Sequence, residues 1–113
     1  MHEMSIAQSV IDIVRDEMAK NEATILRSVR LNIGQLSGIV PDALSFCFEI
    51  ITSKTEMEGA RFIMDIVPLR GYCHICKEEF EIKDYVFLCP TCKDKQIETI
   101  SGRDLTVVEI EVG

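Results

Sequence analysis

Histidine, basic charge and long apolar runs are all scarce in this sequence of 113 residues. Only two histidines occur, and Lys and Arg number 12 against 19 Asp and Glu, which gives a net charge of −7. An excess of negative charge repels a phosphate backbone, so it argues against nucleic-acid binding. The most apolar window, "ALSFCFEII", is too short to cross a bilayer and contains Glu49, so we expect no membrane span.

The start of the chain also lacks the pattern of an export signal, in which basic residues precede an apolar stretch. It reads "MHEMSIAQSVIDIVRDE", which is acidic and amphipathic. We therefore expect a cytoplasmic protein, in a compartment where thiols stay reduced. In that setting the five cysteines point to metal binding rather than to disulfides.

Apolar residues recur at helical spacing in two stretches and alternate with polar residues in three others. Ser5 and Gln8 match a capping pattern, which predicts a helix from about Ser5 to Lys20. Pro41 suits the first turn of a second helix. The alternating stretches "ILRSVRLNIG", "GARFIMDIVP" and "DLTVVEIEV" predict strands with one buried face. The residues expected on the buried faces are Ile25, Val29, Leu31 and Ile33, then Phe62, Met64 and Ile66, and finally Val108, Ile110 and Val112.

Residues 70–101 lie between the second and third predicted strands and contain all but one of the cysteines. So short a segment cannot bury a sufficient core, so we expect a metal to stabilise it. The expected fold class is α+β or α/β, with two helices packed on a small mixed three-stranded sheet. The parent domain then comprises residues 1–69 plus 102–113, and residues 70–101 form an inserted zinc-ribbon module.

Four cysteines in two C-x-x-C pairs carry the metal prediction. The pairs are "CHIC" and "CPTC", twelve residues apart, and the predicted zinc ligands are Cys73, Cys76, Cys89 and Cys92. Zinc favours four soft ligands in a tetrahedron, and the intervening "EFEIKDYVFL" could form a hairpin that brings the pairs together. Two disulfides or a redox pair are the alternatives, which two pairs in a reducing compartment disfavour. Four thiolates would close the site, so its role would be structural.

The remaining cysteine and the second histidine have simpler interpretations. Cys47 falls on the apolar side of the second helix, so we expect a small core residue. His74 lies inside the first cysteine pair and could replace a cysteine as ligand. Because four cysteines already suffice for zinc, we expect His74 to face solvent.

The first three residues, "MHE", have the chemistry of a different metal site. The free α-amine of Met1, the amide nitrogen of His2 and the Nδ1 atom of its imidazole can close adjacent chelate rings. An in-plane set of nitrogens suits square-planar Ni(II) or Cu(II) and does not suit tetrahedral zinc. Glu3, or a group elsewhere in the fold, could supply a fourth ligand. On the motif alone, a histidine without function remains the alternative.

Three motifs taken together are more specific than any of them alone. They are "MHEMS", "IGQLSGIVPDALSFCFE" and the pair "CHIC" and "CPTC", in this order along the chain. With them the whole chain resembles the HypA/HybF family of nickel metallochaperones for nickel–iron hydrogenase maturation. The resemblance implies that His2 is a nickel ligand with Met1 and Glu3 beside it, and that the four paired cysteines bind structural zinc.

The resemblance also implies what the protein does. It implies delivery of Ni(II) to the hydrogenase large subunit together with a HypB-type GTPase, and in some relatives a link to urease maturation proteins. The alternative function is a zinc-ribbon adaptor that binds nucleic acid or a protein complex, which the acidic charge disfavours. A zinc deaminase pairs H-x-E with P-C-x-x-C, whereas here His2 and Glu3 are adjacent and Pro90 lies inside the cysteine pair. We therefore expect a metallochaperone that is not an enzyme.

Overall fold

The computed structural model describes residues 3–113 and contains, within them, two helices and two three-stranded sheets. One sheet has the strand order β2-β1-β6 and the other β4-β3-β5. No helix in this part of the chain has the length and apolar character needed to cross a membrane. The elements are α1 (Glu3–Lys20), β1 (Leu26–Gly34), α2 (Pro41–Thr52), β2 (Arg61–Val67), β3 (Arg70–Cys73), β4 (Glu78–Glu81), β5 (Ile97–Ser101) and β6 (Leu105–Val112).

The chain packs into two compact units. The first contains the residues up to Asn32 together with Ile39–Asp65 and Thr106–Gly113. The second contains Ile33–Gly38 and Ile66–Leu105, and so includes every residue of the segment 70–101.

Helices α1 and α2 supply most of the core of the first unit. The buried residues of α1 recur at helical spacing, as expected for an amphipathic helix. Pro41 occupies the first turn of α2, as predicted, where its missing N–H costs no helical hydrogen bond. Phe48 of α2 stacks on Phe62 of β2 with ring centroids 4.0 Å apart. The buried residues of the two helices are Ala7, Val10, Ile11, Val14 and Met18 in α1 and Leu44, Phe48 and Thr52 in α2.

The sheet β2-β1-β6 confirms the predicted burial in its centre and contradicts it at its edges. Val29, Leu31 and Ile33 of the central strand β1 are buried as predicted. Other residues predicted to be buried are exposed, and the fractions are 55% for Ile25, 54% for Ile66, 51% for Val108 and 39% for Val112. Ile25 precedes β1, whose first residue, Leu26, is buried in its place. The other three lie on β2 and β6, which have a neighbouring strand on one side only.

The second sheet replaces the hairpin that we predicted within residues 79–88. β4 pairs antiparallel with β3, and β5 pairs antiparallel with the other edge of β3. After β4 the chain turns at Asp84 and Tyr85, which have φ angles of 53° and 58°. Two consecutive left-handed residues can close a hairpin, but the next strand along the chain is β5, so the hairpin partner of β4 is β3 and the hairpin turn falls between Cys73 and Glu78 instead.

Residues 34–36, at the end of β1, form hydrogen bonds with the chain just before β3 and just after β5. The N–H of Gly34 donates to the carbonyl oxygen of Asp104 (2.9 Å), that of Gln35 to Val67 (2.9 Å) and that of Leu36 to Gly102 (2.7 Å). The backbones of Gly34 and Gly102 approach so closely that a Cβ on Gly34 would lie 2.4 Å from the carbonyl carbon of Gly102. Only glycine fits at position 34 without a backbone shift.

Candidate metal centre

Four cysteine side chains converge at one end of the sheet β4-β3-β5. Their Sγ atoms all lie within 4.8 Å of one another, and in the described part of the chain no histidine or carboxylate joins them. The strand β3 and the turn after it position two of the four, and the loop before β5 positions the other two. Cys73 and Cys89 are buried, Cys76 is half-buried and Cys92 is exposed.

The two C-x-x-C turns have the same backbone arrangement. The N–H of Lys77 donates to the carbonyl oxygen of Cys73 at 2.7 Å, and the N–H of Lys93 donates to that of Cys89 at 2.9 Å. Lys77 and Lys93 both lie in the left-handed region, with φ angles of 56° and 62°. In the first turn the N–H of Cys76 also points at the Sγ of Cys73, 3.4 Å away. Each turn therefore presents two sulfur atoms on one side of a tightly closed loop.

The sulfur geometry fits a tetrahedral metal ion. The Sγ atoms of Cys73 and Cys92 are 3.6 Å apart, and those of Cys76 and Cys89 are 3.9 Å apart. A tetrahedron with Zn–S bonds of about 2.3 Å has edges of about 3.8 Å, whereas a disulfide bond is about 2.05 Å long. All four cysteines are free thiols in the structure. The cluster therefore suits a structural zinc site with four thiolate ligands.

The cysteine thiols differ in how readily they lose a proton. The pKa of Cys89 is lowered to about 6, chiefly because the backbone N–H of Cys92 donates to its sulfur. The pKa of Cys76 is raised to about 12, chiefly because its thiol donates to the sulfur of Cys92. At Cys92 the N–H of Asp94 lowers the pKa, but burial and the thiol of Cys73 outweigh it, so the net shift is upward. The Cys89 thiolate is thus stabilised by hydrogen bonds from neighbouring thiols that keep their protons. A bound cation would displace those protons.

His74 and Cys47 lie outside the cluster. The side chain of His74 is 66% exposed, as predicted, and its Nε2 atom lies 3.5 Å from a carboxylate oxygen of Glu98. Its ring also contacts the ring of Tyr72 edge-on, with centroids 4.9 Å apart. Cys47 is half-buried on α2. Nothing in the sequence indicated Glu98 as the partner of His74, because that proximity depends on the register between β3 and β5, which the sequence does not show.

The predicted nickel ligands Met1 and His2 lie outside the described residues. Glu3, the third residue of that motif, is half-buried at the start of α1. The assignment of Met1, His2 and Glu3 to nickel therefore stays a prediction.

Comparisons with known proteins give one consistent result. Residues 1–112 match the family model "HypA: Hydrogenase/urease nickel incorporation, metallochaperone, hypA". The chain is 46% identical over 112 residues to a protein of Geobacter metallireducens named hydrogenase maturation factor HypA, with 99% of each chain covered. A protein of the same name from Geotalea uraniireducens is 44% identical, again over 99% of each chain.

Solved structures support the fold independently of sequence identity. The solution structure of the nickel metallochaperone HypA from Helicobacter pylori superposes with a TM-score of 0.72 at 20% identity. That superposition covers 99% of this chain and 97% of the other. Two helices, two three-stranded sheets, a cluster of four cysteines and a match along the whole sequence lead to the same conclusion, which is that the chain belongs to the HypA family of hydrogenase and urease nickel metallochaperones.

Proposed function

We propose that this protein binds Ni(II) at its N-terminal Met-His-Glu motif and delivers the ion for maturation of nickel–iron hydrogenase. The observation that carries the proposal is the family match, which begins at residue 1 and so includes the motif. The chemistry of the motif supports it, because an α-amine, an amide nitrogen and an imidazole form a planar donor set that favours Ni(II) over Zn(II). In this proposal His2 and Met1 supply nitrogen ligands, and Glu3 supplies a weak fourth ligand or orients the site.

The cysteine cluster has a separate role in the proposal. Cys73, Cys76, Cys89 and Cys92 hold one zinc ion, which ties together the two turns that flank the sheet β4-β3-β5. Because all four positions are thiolates, no coordination site remains for a substrate. Residues 70–101 act as a zinc-ribbon domain inserted in the nickel-binding domain, which comprises residues 1–69 plus 102–113.

A metallochaperone must both load and release its ion, so its function requires partners rather than catalysis. We propose that a HypB-type GTPase and the hydrogenase large subunit are those partners, in the cytoplasm, and that urease maturation proteins are alternative ones. The hydrogenase and urease terms of the family description support this set of partners. Pull-downs from nickel-replete cells should recover at least one of them, and preferential recovery of DNA would instead favour an adaptor function.

The decisive experiment is a nickel titration of protein with its native N-terminus, followed by the d–d absorption of square-planar Ni(II). His2→Ala removes the imidazole and one chelate ring, so specific nickel binding should be lost while the zinc content stays the same. Two residues added before Met1 should have the same effect, because they convert the α-amine into an amide. Glu3→Ala should reduce affinity less than either change.

His74→Ala is the matched control, since His74 is the other histidine of the chain and is exposed. It should bind nickel as the unaltered protein does. If the extended protein binds nickel with the same affinity and the same absorption band, the α-amine is not a ligand. If His74→Ala loses nickel and His2→Ala does not, the site lies at the cysteine module and the proposal is wrong.

A further inference from the structure

Strand β6 leaves one edge of the sheet β2-β1-β6 open. Within residues 3–113 its neighbour is β1, and no strand lies on its other side. β6 runs over eight residues, Leu105–Val112, and has neither proline nor a basic residue. Natural proteins usually protect an edge of this length with lysine, proline or a bulge, because its free N–H and C=O groups can pair with another strand.

A groove lined by both apolar and polar residues runs beside this edge strand. It lies between α1 and β6, has a volume of about 480 Å³, and belongs entirely to the first compact unit. Ile13 and Val108, which both line it, are 49% and 51% exposed. The groove-lining residues are Ile13, Glu17, Met18 and Asn21 of α1 and Val107, Val108, Glu109, Ile110 and Val112 of β6.

The charged residues that line the groove are Glu17 and Glu109, and Glu17 pairs with Lys20 at 3.6 Å. Glu109 and Glu111 are exposed and alternate along β6 with Val108, Ile110 and Val112. Glu17 lies at the rim on α1. An additional strand on the edge would therefore meet Val108, Ile110 and Val112 on one sheet face and the carboxylates of Glu109 and Glu111 on the other face.

We propose that β6 is a docking edge for an extended segment of a partner protein in which apolar and basic residues alternate. The segment adds a fourth strand to the sheet, its apolar side chains pack beside Val108, Ile110 and Val112 on one face, and its basic side chains face Glu109 and Glu111 on the other. Main-chain hydrogen bonds supply affinity in such strand addition, and the side chains on alternate faces supply specificity. A second copy of this chain fits less well, because antiparallel pairing of two β6 strands would bring these glutamates close to one another.

The proposal can be tested with a synthetic peptide and the full-length, zinc-loaded protein. The probe is the acetylated and amidated peptide Lys-Val-Arg-Val-Lys-Val-Arg, and Lys-Lys-Arg-Arg-Val-Val-Val is the control of equal composition without alternation. Binding is measured by fluorescence anisotropy of labelled peptide, and the site is mapped by amide hydrogen exchange. The alternating peptide should bind at least about tenfold more tightly and should slow exchange in β6.

Matched variants separate the edge from general effects of charge. Val108→Lys puts a charge into the groove and should weaken binding at least about tenfold, whereas Ile50→Lys, at an equally exposed residue of α2, should not. Glu109→Lys with Glu111→Lys should weaken binding at low salt, and less so at about 0.5 M salt. The same pair of changes at Glu79 and Glu81 of β4, an edge strand of the other sheet, should leave binding unchanged.

Several outcomes would overturn the proposal. These are equal binding of both peptides, no binding of the alternating peptide, slowed exchange outside β6, and equal effects of the β6 variants and their controls. A dimer in light scattering that Val108→Lys dissociates would show that the occupant is a second copy of the chain. Thermal unfolding of each variant checks that it is folded, and the changes at the exposed residues Glu109 and Glu111 keep the test decisive if Val108→Lys does not fold.

Discussion

Two lysines close the C-x-x-C turns, and we expect the protein to bind zinc less tightly with them than it would with glycine at the same positions. Lys77 and Lys93 have φ angles of 56° and 62°, in the left-handed region that residues with a Cβ rarely adopt. That conformation costs a residue other than glycine about 1–2 kcal/mol. Glycine loses more backbone entropy on ordering, which offsets about 0.5–1 kcal/mol of the gain. The net gain for glycine therefore lies between about 0 and 1.5 kcal/mol at each turn, with a central value of about 0.8 kcal/mol.

Because zinc binding and ordering of so small a module are coupled, this gain should appear in the zinc affinity. We expect Lys77→Gly to bind zinc about two- to fivefold more tightly than Lys77→Ala, and the same ratio at Lys93. Comparing glycine with alanine at one position removes the effect of the lost positive charge, since both variants lack it. Affinity is measured by competition with a chromophoric chelator at fixed pH.

Lys95 provides a control at which glycine should lower the zinc affinity relative to alanine instead of raising it. It lies in the same module and does not have a positive φ angle. There Lys95→Gly should bind zinc more weakly than Lys95→Ala, by about the factor that corresponds to 0.5–1 kcal/mol of backbone entropy. If glycine is worse than alanine at Lys77 and Lys93 as well, the left-handed turns do not limit affinity and the reasoning fails.

Three further changes follow from the same structure. Zinc binding at pH 7 should release at least two protons, because the raised pKa values of Cys76 and Cys92 keep these thiols protonated without metal. The zinc affinity should therefore fall as the pH falls. Calorimetry in buffers of different ionisation enthalpy counts the released protons. Cys76→Ala or Cys89→Ala should abolish tight zinc binding and disorder the sheet β4-β3-β5 while the first unit stays folded, which amide NMR spectra would show. Gly34→Ala should lower the free energy of unfolding by more than about 2 kcal/mol in urea denaturation, because its Cβ would overlap the Gly102 backbone.

The sequence predicted the elements of this fold better than the exposure of their residues. Helical spacing and Pro41 located both helices, and alternation identified the buried face of the central strand β1. Alternation also placed Val108 and Val112 on a buried face, but it cannot show that a strand lies at the edge of its sheet. That information depends on strand order, which is set by contacts between residues far apart in sequence.

In the candidate metal site, too, the sequence predicted some features and not others. The spacing of Cys73, Cys76, Cys89 and Cys92 was sufficient to predict that the four sulfurs converge. The turn at Asp84 and Tyr85, and the left-handed lysines after each pair, gave no signal, because residues of these types usually avoid such conformations.

The backbone hydrogen bonds of residues 34–36 bear on how the zinc module could be transplanted or lost. Because Ile33–Gly38 belongs to the same compact unit as Ile66–Leu105, the chain passes between the two units four times rather than the two times of a simple insertion. A fragment that comprises only Ile66–Leu105 would lack the donors of residues 34–36, to which Val67, Gly102 and Asp104 are the acceptors. Excision of Ile66–Leu105 would conversely leave the three amides of residues 34–36 without these acceptors. Recombination in evolution, or grafting in the laboratory, therefore has to move two separate stretches of sequence together.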